Sequence, residues 1–345
     1  MAPPKVFLTG ATGYIGGDAF YVLYNKHPDW SYTALVRSEE RAKQLKDKFP
    51  NVSVVFGTLD SLDLLEEESK KADIIFHFAD ADHVPSAQAI VKGAVAHTAD
   101  RPAWIIHTSG SGILGFEDTR AKTVGVEREK VWDDWDNVHE LTVTMPDDAL
   151  HRDVDKIILG AGEANSAVKT AIVAPPCING TGRGAGHIVS QQIPTFAREV
   201  LKRKKGIVLG EGRNIWNWVH IHDLSEVYLA LGEAAAAGGG NATWGKDGYY
   251  FAESGPFYWG DVQRAVSKVA YEKGYIPTAE IDTLGSYEEG LKVNPNYNLS
   301  YACGSNSRSK SIRARKLFGW APKRPEQLLD LIPEIVETEA RALGL

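Results

Sequence analysis

"VFLTGATGYIGGDAF", residues 6–20, decides the fold. Its opening apolar residues read as a buried strand, and the segment from Gly13 to about Asn25 reads as a helix. Between them stand Gly10, Gly13 and Gly16. Glycines at such a bend let the backbone turn tightly and approach a pyrophosphate, which the free N–H groups and positive end of the helix would bind. The spacing is G-x-x-G-x-x-G, not G-x-G-x-x-G, but strand before and helix after give it the context of a dinucleotide-binding turn. Gly10, Thr12, Gly13, Tyr14, Ile15 and Gly16 are therefore cofactor-binding candidates.

The next strand, "SYTALVR" (31–37), ends on Arg37. A site for NAD usually carries an acidic residue there to bind the ribose 2′-OH. A guanidinium instead fits a phosphate with two parallel hydrogen bonds, so NADPH is the expected cofactor. Apolar runs at 52–59, 72–79, 103–109 and 169–175 continue the series, separated by helix-like segments. Such near-continuous runs belong to strands covered on both faces. Alternation of strand and helix predicts an α/β fold with a doubly wound parallel (Rossmann) sheet.

The pattern changes after about residue 180. "NGTGRGAGH" (179–187) is a glycine-rich loop, and 215–231 reads as a strand leading into a helix. Residues 1–180 are predicted to form the cofactor domain, with strands from about 215–231 and 249–254 returning to it. Residues 181–214 and 255–345 are assigned to a smaller, mostly helical substrate-binding domain.

Composition narrows the function. Of 345 residues 43% are hydrophobic, enough for a sizeable core, and the formal net charge is -7. No basic run dominates, which argues against nucleic acid or a membrane as partner and leaves a small-molecule substrate. Two cysteines, Cys177 and Cys303, are too few for a disulfide framework, so a reducing, cytoplasmic location is expected. No segment has the length and apolarity of a membrane span. Oligomeric state, monomer or homodimer, stays open.

"TGATGYIG", "GTLD" (57–60), "HFAD" (77–80), "HTSGSGILG" (107–115), "PPCINGTG" (175–182) and "WNWVHIHDLSEVYLAL" (216–231) fall in an order that resembles the extended and atypical short-chain dehydrogenase/reductase superfamily. This group includes epimerase/dehydratase-like and dihydroflavonol-reductase-like branches. The resemblance implies that Leu59 and Asp60 lie near the adenine and that Phe78 and Ala79 line the cofactor. It also implies that Pro175 to Ile178 pass beside the nicotinamide.

Two departures from the family pattern bear on the chemistry. Its catalytic tyrosine begins a Y-x-x-x-K helix, but here no tyrosine occurs between Tyr32 and Tyr228. The sugar-nucleotide branches keep an arginine where this chain has Trp216, with Arg213 offset from it. The stretch "LHRDVDK" (150–156) keeps Lys156, which the resemblance assigns to the nicotinamide ribose, and has Arg152 four residues before it. Its H-R-D does not signal a kinase: position 158 is Ile158 where a kinase requires Asn, and no D-F-G follows.

Carbonyl reduction by hydride needs a group that stabilises and then protonates the alkoxide. The serine slot offers Thr108, Ser109 and Ser111, with Gly110 at the usual serine position in one register. Arg152 stays charged and suits an oxyanion, whereas His151 can give a proton near neutral pH. His151 reaches the site only if the helix starts late, while Asp147 or Asp148 as N-cap would start it early. Tyr258, from the second domain, is a further candidate acid, and Trp132 and Trp135 are candidate rim residues. His220 and His222 share a strand face but lack a third metal ligand, so Asp223 capping a helix is the expected reading. Cys177 reads as a packed thiol.

The expected function is an NADPH-dependent reductase of a small aldehyde or ketone, with Ser109 or Ser111 on the substrate oxygen and His151 or Arg152 in the tyrosine's role. A non-catalytic NADP-binding regulator and a sugar-nucleotide epimerase or dehydratase are the alternatives.

Overall fold

A computed structural model describes residues 3–324 and 327–345. Strand and helix alternate first: β1 (Lys5–Thr9), α1 (Tyr14–Lys26), β2 (Ser31–Val36), α2 (Glu39–Lys48), β3 (Ser53–Phe56), α3 (Leu62–Lys71), β4 (Ile74–His77), α4 (Val84–Ala94) and β5 (Ala103–Thr108). An insert holds α5 (Phe116–Ala121), β6 (Trp132–Asp133) and α6 (Val138–Thr142), before α7 (Arg152–Ala164) and β7 (Val168–Ala174). Then come β8 (Cys177–Asn179), α8 (Gln192–Arg203), β9 (Gly206–Leu209), β10 (Ile215–His220), α9 (Ile221–Ala236) and β11 (Tyr249–Phe251). The C-terminal part runs through β12 (Gly255–Tyr258), α10 (Trp259–Glu272), β13 (Ile281–Leu284), α11 (Tyr287–Val293), α12 (Leu299–Gly304), β14 (Ser309–Lys310), α13 (Arg313–Phe318) and α14 (Ile332–Ala342).

Seven strands form one sheet in the order β11-β7-β5-β4-β1-β2-β3, and every pairing is parallel. Every residue of β4 and β5 is buried, as a strand between two helical layers requires. One face packs Leu8, Phe76 and Ile106 against α1 and α9; the other packs Phe7, Ile75 and Ile105 against α4 and α7. Each large side chain so buried contributes about 1.5–3 kcal/mol through removal from water. Local signals agree with this packing: Ser38 caps α2 by accepting the Arg41 N–H, with Glu39 and Glu40 in the first turn and Lys46 and Lys48 in the last.

The chain reverses direction across the sheet between β1 and β4, which opens a crevice beyond the strands' C-terminal ends. The second lobe closes over that crevice. Its core includes Phe196, Trp218, Trp259 and Val262. One expectation is corrected here. The strand at 215–220 does not return to the large sheet; β10 pairs with β8 and β12 in a separate three-stranded sheet. Only α9 packs back on the large sheet's layers, while β11 joins the sheet edge beside β7.

Candidate active site

At the end of β1, Gly10 takes φ +73, and a Cβ there would lie 2.9 Å from the Ala79 nitrogen. Gly16 is tighter still: its Cβ would sit 2.5 Å from Gly10 O and 2.8 Å from the Phe78 Cβ. The turn is thus moulded onto the end of β4. At Gly13, by contrast, a Cβ would meet only Gly10 O, at 3.2 Å, leaving room beside the helix start. A strand-to-helix turn free of side chains fits a dinucleotide pyrophosphate. Arg37, the first residue beyond β2, is exposed. Leu59 is half-buried, Asp60 receives a hydrogen bond from the His83 ring at 3.2 Å, and Phe78 stacks on Phe76.

A strap from the second lobe crosses this turn. The Tyr14 hydroxyl donates to Gly180 O at 2.5 Å, and the His187 N–H donates to Thr12 O at 2.9 Å. Gly186 lies so near Thr12 that a Cβ would come within 2.2 Å of its carbonyl oxygen. Asp18, fully buried on α1, anchors the strap: it accepts the Arg183 N–H at 2.6 Å, the Arg183 guanidinium at 2.7 Å and the Ser225 hydroxyl at 2.6 Å. Burial alone would raise the Asp18 carboxyl, but these donors and the arginine charge outweigh it and hold it low. "NGTGRGAGH" is therefore a lid over the glycine turn, a role its composition alone did not signal.

The head of α7 lies at the end of β5. Helix α7 starts late, with His151 as N-cap at φ 67, so neither Asp147 nor Asp148 begins it. His151 Nδ1 lies 2.7 Å from Asp82 Oδ1, beyond the end of β4. Its Nε2 faces β5, where a Cβ on Gly110 would come within 2.9 Å of it. Burial raises the Asp82 carboxyl, but the hydrogen bond and charge of His151 prevail and hold it low. An ionised Asp82 accepts the Nδ1 proton, which leaves the Nε2 lone pair toward Gly110. That is the geometry of an oriented general base, or of a general acid once protonated.

Backbone strain marks the same place. Among the described residues the non-glycine positions with positive φ are Asp80, Lys122, His151, Lys204 and Asn298. Lys122 and Lys204 end helices, a common place for this conformation. The other three lie around the cleft: Asp80 accepts the Asp82 N–H, His151 is the N-cap of α7, and Asn298 caps α12 by accepting the Tyr301 N–H. Tyr301 hydroxyl bonds the Gly112 carbonyl across the cleft. Strain gathered on one spot is a physical pointer to function.

Beneath His151 runs a buried polar chain. Asp155, four residues on along α7, accepts the Ser109 hydroxyl at 3.0 Å and faces His107 Nε2 at 3.7 Å. His107 Nδ1 meets His77 Nδ1 at 3.0 Å. All are within 5% of full burial. Desolvation pushes Asp155 up to about 7, partly offset by the nearby His151 and the Ser109 bond. The same desolvation pushes His77 down to about 4 and His107 well below its usual range.

Several expected site residues are placed elsewhere. Lys156 Nζ pairs with Asp147 at 2.8 Å on the surface, and its side chain is 49% exposed. The face of α7 toward β5 carries positions 151 and 155, and 156 falls about 100° past 155 around the helix. Arg152 is buried, and its guanidinium donates to Leu141 O, Thr142 O and Val143 O. Through Nη1 and Nη2 it caps the C-terminal end of α6, and its Nε is buried without a hydrogen-bond partner, so the structure places its charge on the insert and not on an expected oxyanion. Ser109 and Ser111 are both turned inward, the first to Asp155 and the second to the Ser307 hydroxyl at 2.7 Å; Gly110 takes the open position between them. Thr108 bonds the Tyr228 hydroxyl. Pro175 O accepts the Ser111 N–H, placing that segment beside the end of β5, and Ile178 is half-buried.

Tyr258 is 42% exposed at the end of β12, and Tyr301 brings a further phenol to the Gly112 carbonyl. His220, not Asp223, is the N-cap of α9. No group of three or more His, Cys, Asp or Glu side chains suited to a metal ion occurs among the described residues. Trp132 is buried under Lys130, Trp135 lies beneath Lys316, and Trp216 is buried with its indole N–H on Ser305 O. Cys177 is fully buried, and desolvation raises its thiol to about 12. Sequence reasoning missed Asp82, Asp155 and Tyr301. Counting i to i+4 from His151, rather than back from the lysine, would have found Asp155.

Residues 10–133 match a family described as NAD(P)H-binding, and residues 149–244 match the NAD dependent epimerase/dehydratase family. "Oxidase ucsJ" from an Acremonium species is 35% identical over 349 residues, covering 99% of both chains. DesIV, a dTDP-glucose 4,6-dehydratase from Streptomyces venezuelae solved with NAD and TYD bound, superposes with a TM-score of 0.65 at 16% identity, covering 99% of this chain and 98% of that one. UDP-glucose 4-epimerase from Thermotoga maritima, solved with UDP-glucose, gives 0.62 at 12% identity, covering 98% and 99%. At such identities the two structures speak for the fold alone.

Proposed function

Because the chain belongs to the extended short-chain dehydrogenase/reductase superfamily, we propose that it is an NADP-dependent oxidoreductase acting on a small alcohol–carbonyl pair, with His151 and Asp82 in the tyrosine's role. The observation that carries the reading is the oriented imidazole, with Nδ1 2.7 Å from Asp82 and Nε2 directed at the open position left by Gly110. Bound nicotinamide supplies the hydride acceptor or donor. The chain's own residues supply the rest. Nε2 of His151 takes the proton of a substrate hydroxyl in the oxidising direction and returns it to the carbonyl oxygen in the reducing direction. Asp82 keeps the ring in one tautomer and stabilises the imidazolium. Thr12, Gly13, Tyr14 and Ile15 would present the start of α1 to the pyrophosphate, and the exposed Arg37 would pair a 2′-phosphate. The strap over the turn shields that end of the site from water.

The 35% identical relative named an oxidase supports redox chemistry, and the oxidising direction deserves equal weight with reduction. The test is turnover of a panel of small alcohols with NADP and carbonyls with NADPH, followed at 340 nm. His151→Ala is expected to lower kcat by about 10²–10⁴-fold with the cofactor Kd unchanged. Cofactor binding without turnover of any pair would sink the catalytic reading, and an active His151→Ala enzyme would sink the assignment of the base.

A further inference from the structure

The buried chain under His151 has a consequence for that residue's chemistry. Asp155 Oδ1, His107 Nε2 and His77 Nε2 are each buried without a hydrogen-bond partner at normal distance, although the first two face one another at 3.7 Å. Buried polar atoms are seldom left so. Two arrangements of protons are compatible with the line. In one, Asp155 carries a proton on Oδ1 directed at His107 Nε2; His107 Nδ1–H then donates to His77 Nδ1, and His77 holds its single proton on Nε2. In the other, Asp155 is ionised, His107 Nε2–H points at Oδ1, and His77 Nδ1–H donates to His107 Nδ1. The two differ by one proton, that of the Asp155 carboxyl, and each imidazole carries one proton in both.

We propose that Asp155 is a positioning residue for His151: a switchable buried charge, one turn below it on α7, whose ionisation raises the proton affinity of the imidazole. The proposal rests on the reading of His151 as the acid–base group and deepens it. The geometry supplies the coupling: Asp155 holds the Ser109 hydroxyl at 3.0 Å while the His151 ring stands against the next residue, Gly110, and the His151 charge acts on Asp155. Low polarity between them strengthens it. In the pattern this family is expected to show, a cation stands one turn below a phenol; here an anion stands one turn below an imidazole. The charges of both members are inverted, so the pair still favours the ionised form of the upper group.

Other groups face Asp155. Its own helix contributes His151 and Arg152, β5 contributes His107 and Ser109, and β4 contributes His77 with Asp82 just beyond it. Strand β11 contributes Tyr249, whose phenol is raised by burial and then by the Asp155 charge. Near neutral pH Asp155 is the member whose charge changes, since its carboxyl sits at about 7 while both buried histidines stay neutral. By reciprocity each ionisation shifts the other, and His151 should titrate in two coupled steps.

The experiment is a pH titration of the full-length protein labelled with ¹³C at histidine Cε1, followed by NMR, with the His151 signal assigned by its loss in His151→Ala. Wild-type protein is expected to show two inflections for His151. In Asp155→Asn, which keeps the shape and the Ser109 contact, one inflection remains and lies about one pH unit lower. In Ser109→Ala both inflections persist and the one due to Asp155 moves to higher pH, because the hydroxyl no longer stabilises the carboxylate. That second variant decides the matter if Asp155→Asn does not fold. A His151 curve identical to wild type in every folded variant overturns the proposal. The titration requires no turnover and no cofactor, so it can fail or succeed independently of the proposed enzymatic activity.

Discussion

The turn at Gly10–Gly16 and the head of α7 both lead the chain into a helix, at the same edge of the same sheet, and they are built from opposite materials. The turn is made of backbone: at Gly16 even a methyl group would press within 2.5 Å of Gly10 O. The head of α7 is made of side chains: an imidazole, two carboxylates and a hydroxyl joined by bonds of 2.7–3.0 Å. A site made of backbone amides has no titrating group, so its performance is indifferent to pH and intolerant of bulk. A site made of ionisable side chains can be exchanged residue by residue and is tuned by its surroundings. The family's glycine turn is therefore kept in this chain, whereas the proposed function requires that its proton-transfer pair be rebuilt.

Four substitutions sharpen that contrast, from the largest effect to none. Gly16→Val places two further carbons where a Cβ already overlaps Gly10 and Phe78, and should abolish NADPH binding, read by fluorescence titration; binding at wild-type affinity would show that the turn can yield. Asp155→Asn should alter stability in a pH-dependent way. The folded protein holds this carboxyl at about 7 against the ordinary 3.8, so between those values the native state binds more protons than the unfolded one. Wild-type stability is then lost as pH rises from about 4 to 7. The neutral variant escapes that loss and should be more stable than wild type at pH 8 by about 2–4 kcal/mol, with the gap closing at pH 4. Urea melts at the two pH values check this, and a gap of equal size at both would refute it. Arg37→Ala should weaken NADPH binding about tenfold and leave NADH alone, since only the former has a phosphate for the guanidinium. Equal effects on both cofactors would remove Arg37 from the site. Lys156→Ala should leave kcat, KM and cofactor affinity at wild-type values, because its ammonium pairs with Asp147 at the surface; a large rise in cofactor Kd would restore the lysine to the cleft.

The same contrast governs what the sequence makes legible. The glycine turn and the buried strands can be read from a single line of letters, because each depends on neighbours within a few residues. The doubly wound parallel sheet follows from them. What stays hidden depends on residues far apart in the chain. Asp82 meets His151 across 69 positions, and Tyr301 reaches Gly112 across 189. The helix start at α7 turned on one backbone angle, which a sequence with Asp147 and Asp148 just upstream does not announce. Lys156 illustrates the hazard of register: one position of slip on a helix moves a side chain by about 100°, from the cleft to the solvent. The strand at 215–220 misled for a related reason, since its apolar run fits any buried sheet and does not say which.

The left-handed backbone at His151 carries one more implication, about the paths open to this lineage. Glycine, asparagine, aspartate and histidine occupy that conformation with modest strain, while a bulky aromatic pays about 1–2 kcal/mol to sit there. A tyrosine in place of the imidazole at 151 would therefore need two changes at once, the new side chain and a straighter entry into α7, while the family pattern's own tyrosine would fall at Arg152, already in the helix. Either change alone loses either the base or the fit. A backbone angle can in this way close a door behind an enzyme, making the exchange of its proton carrier hard to undo.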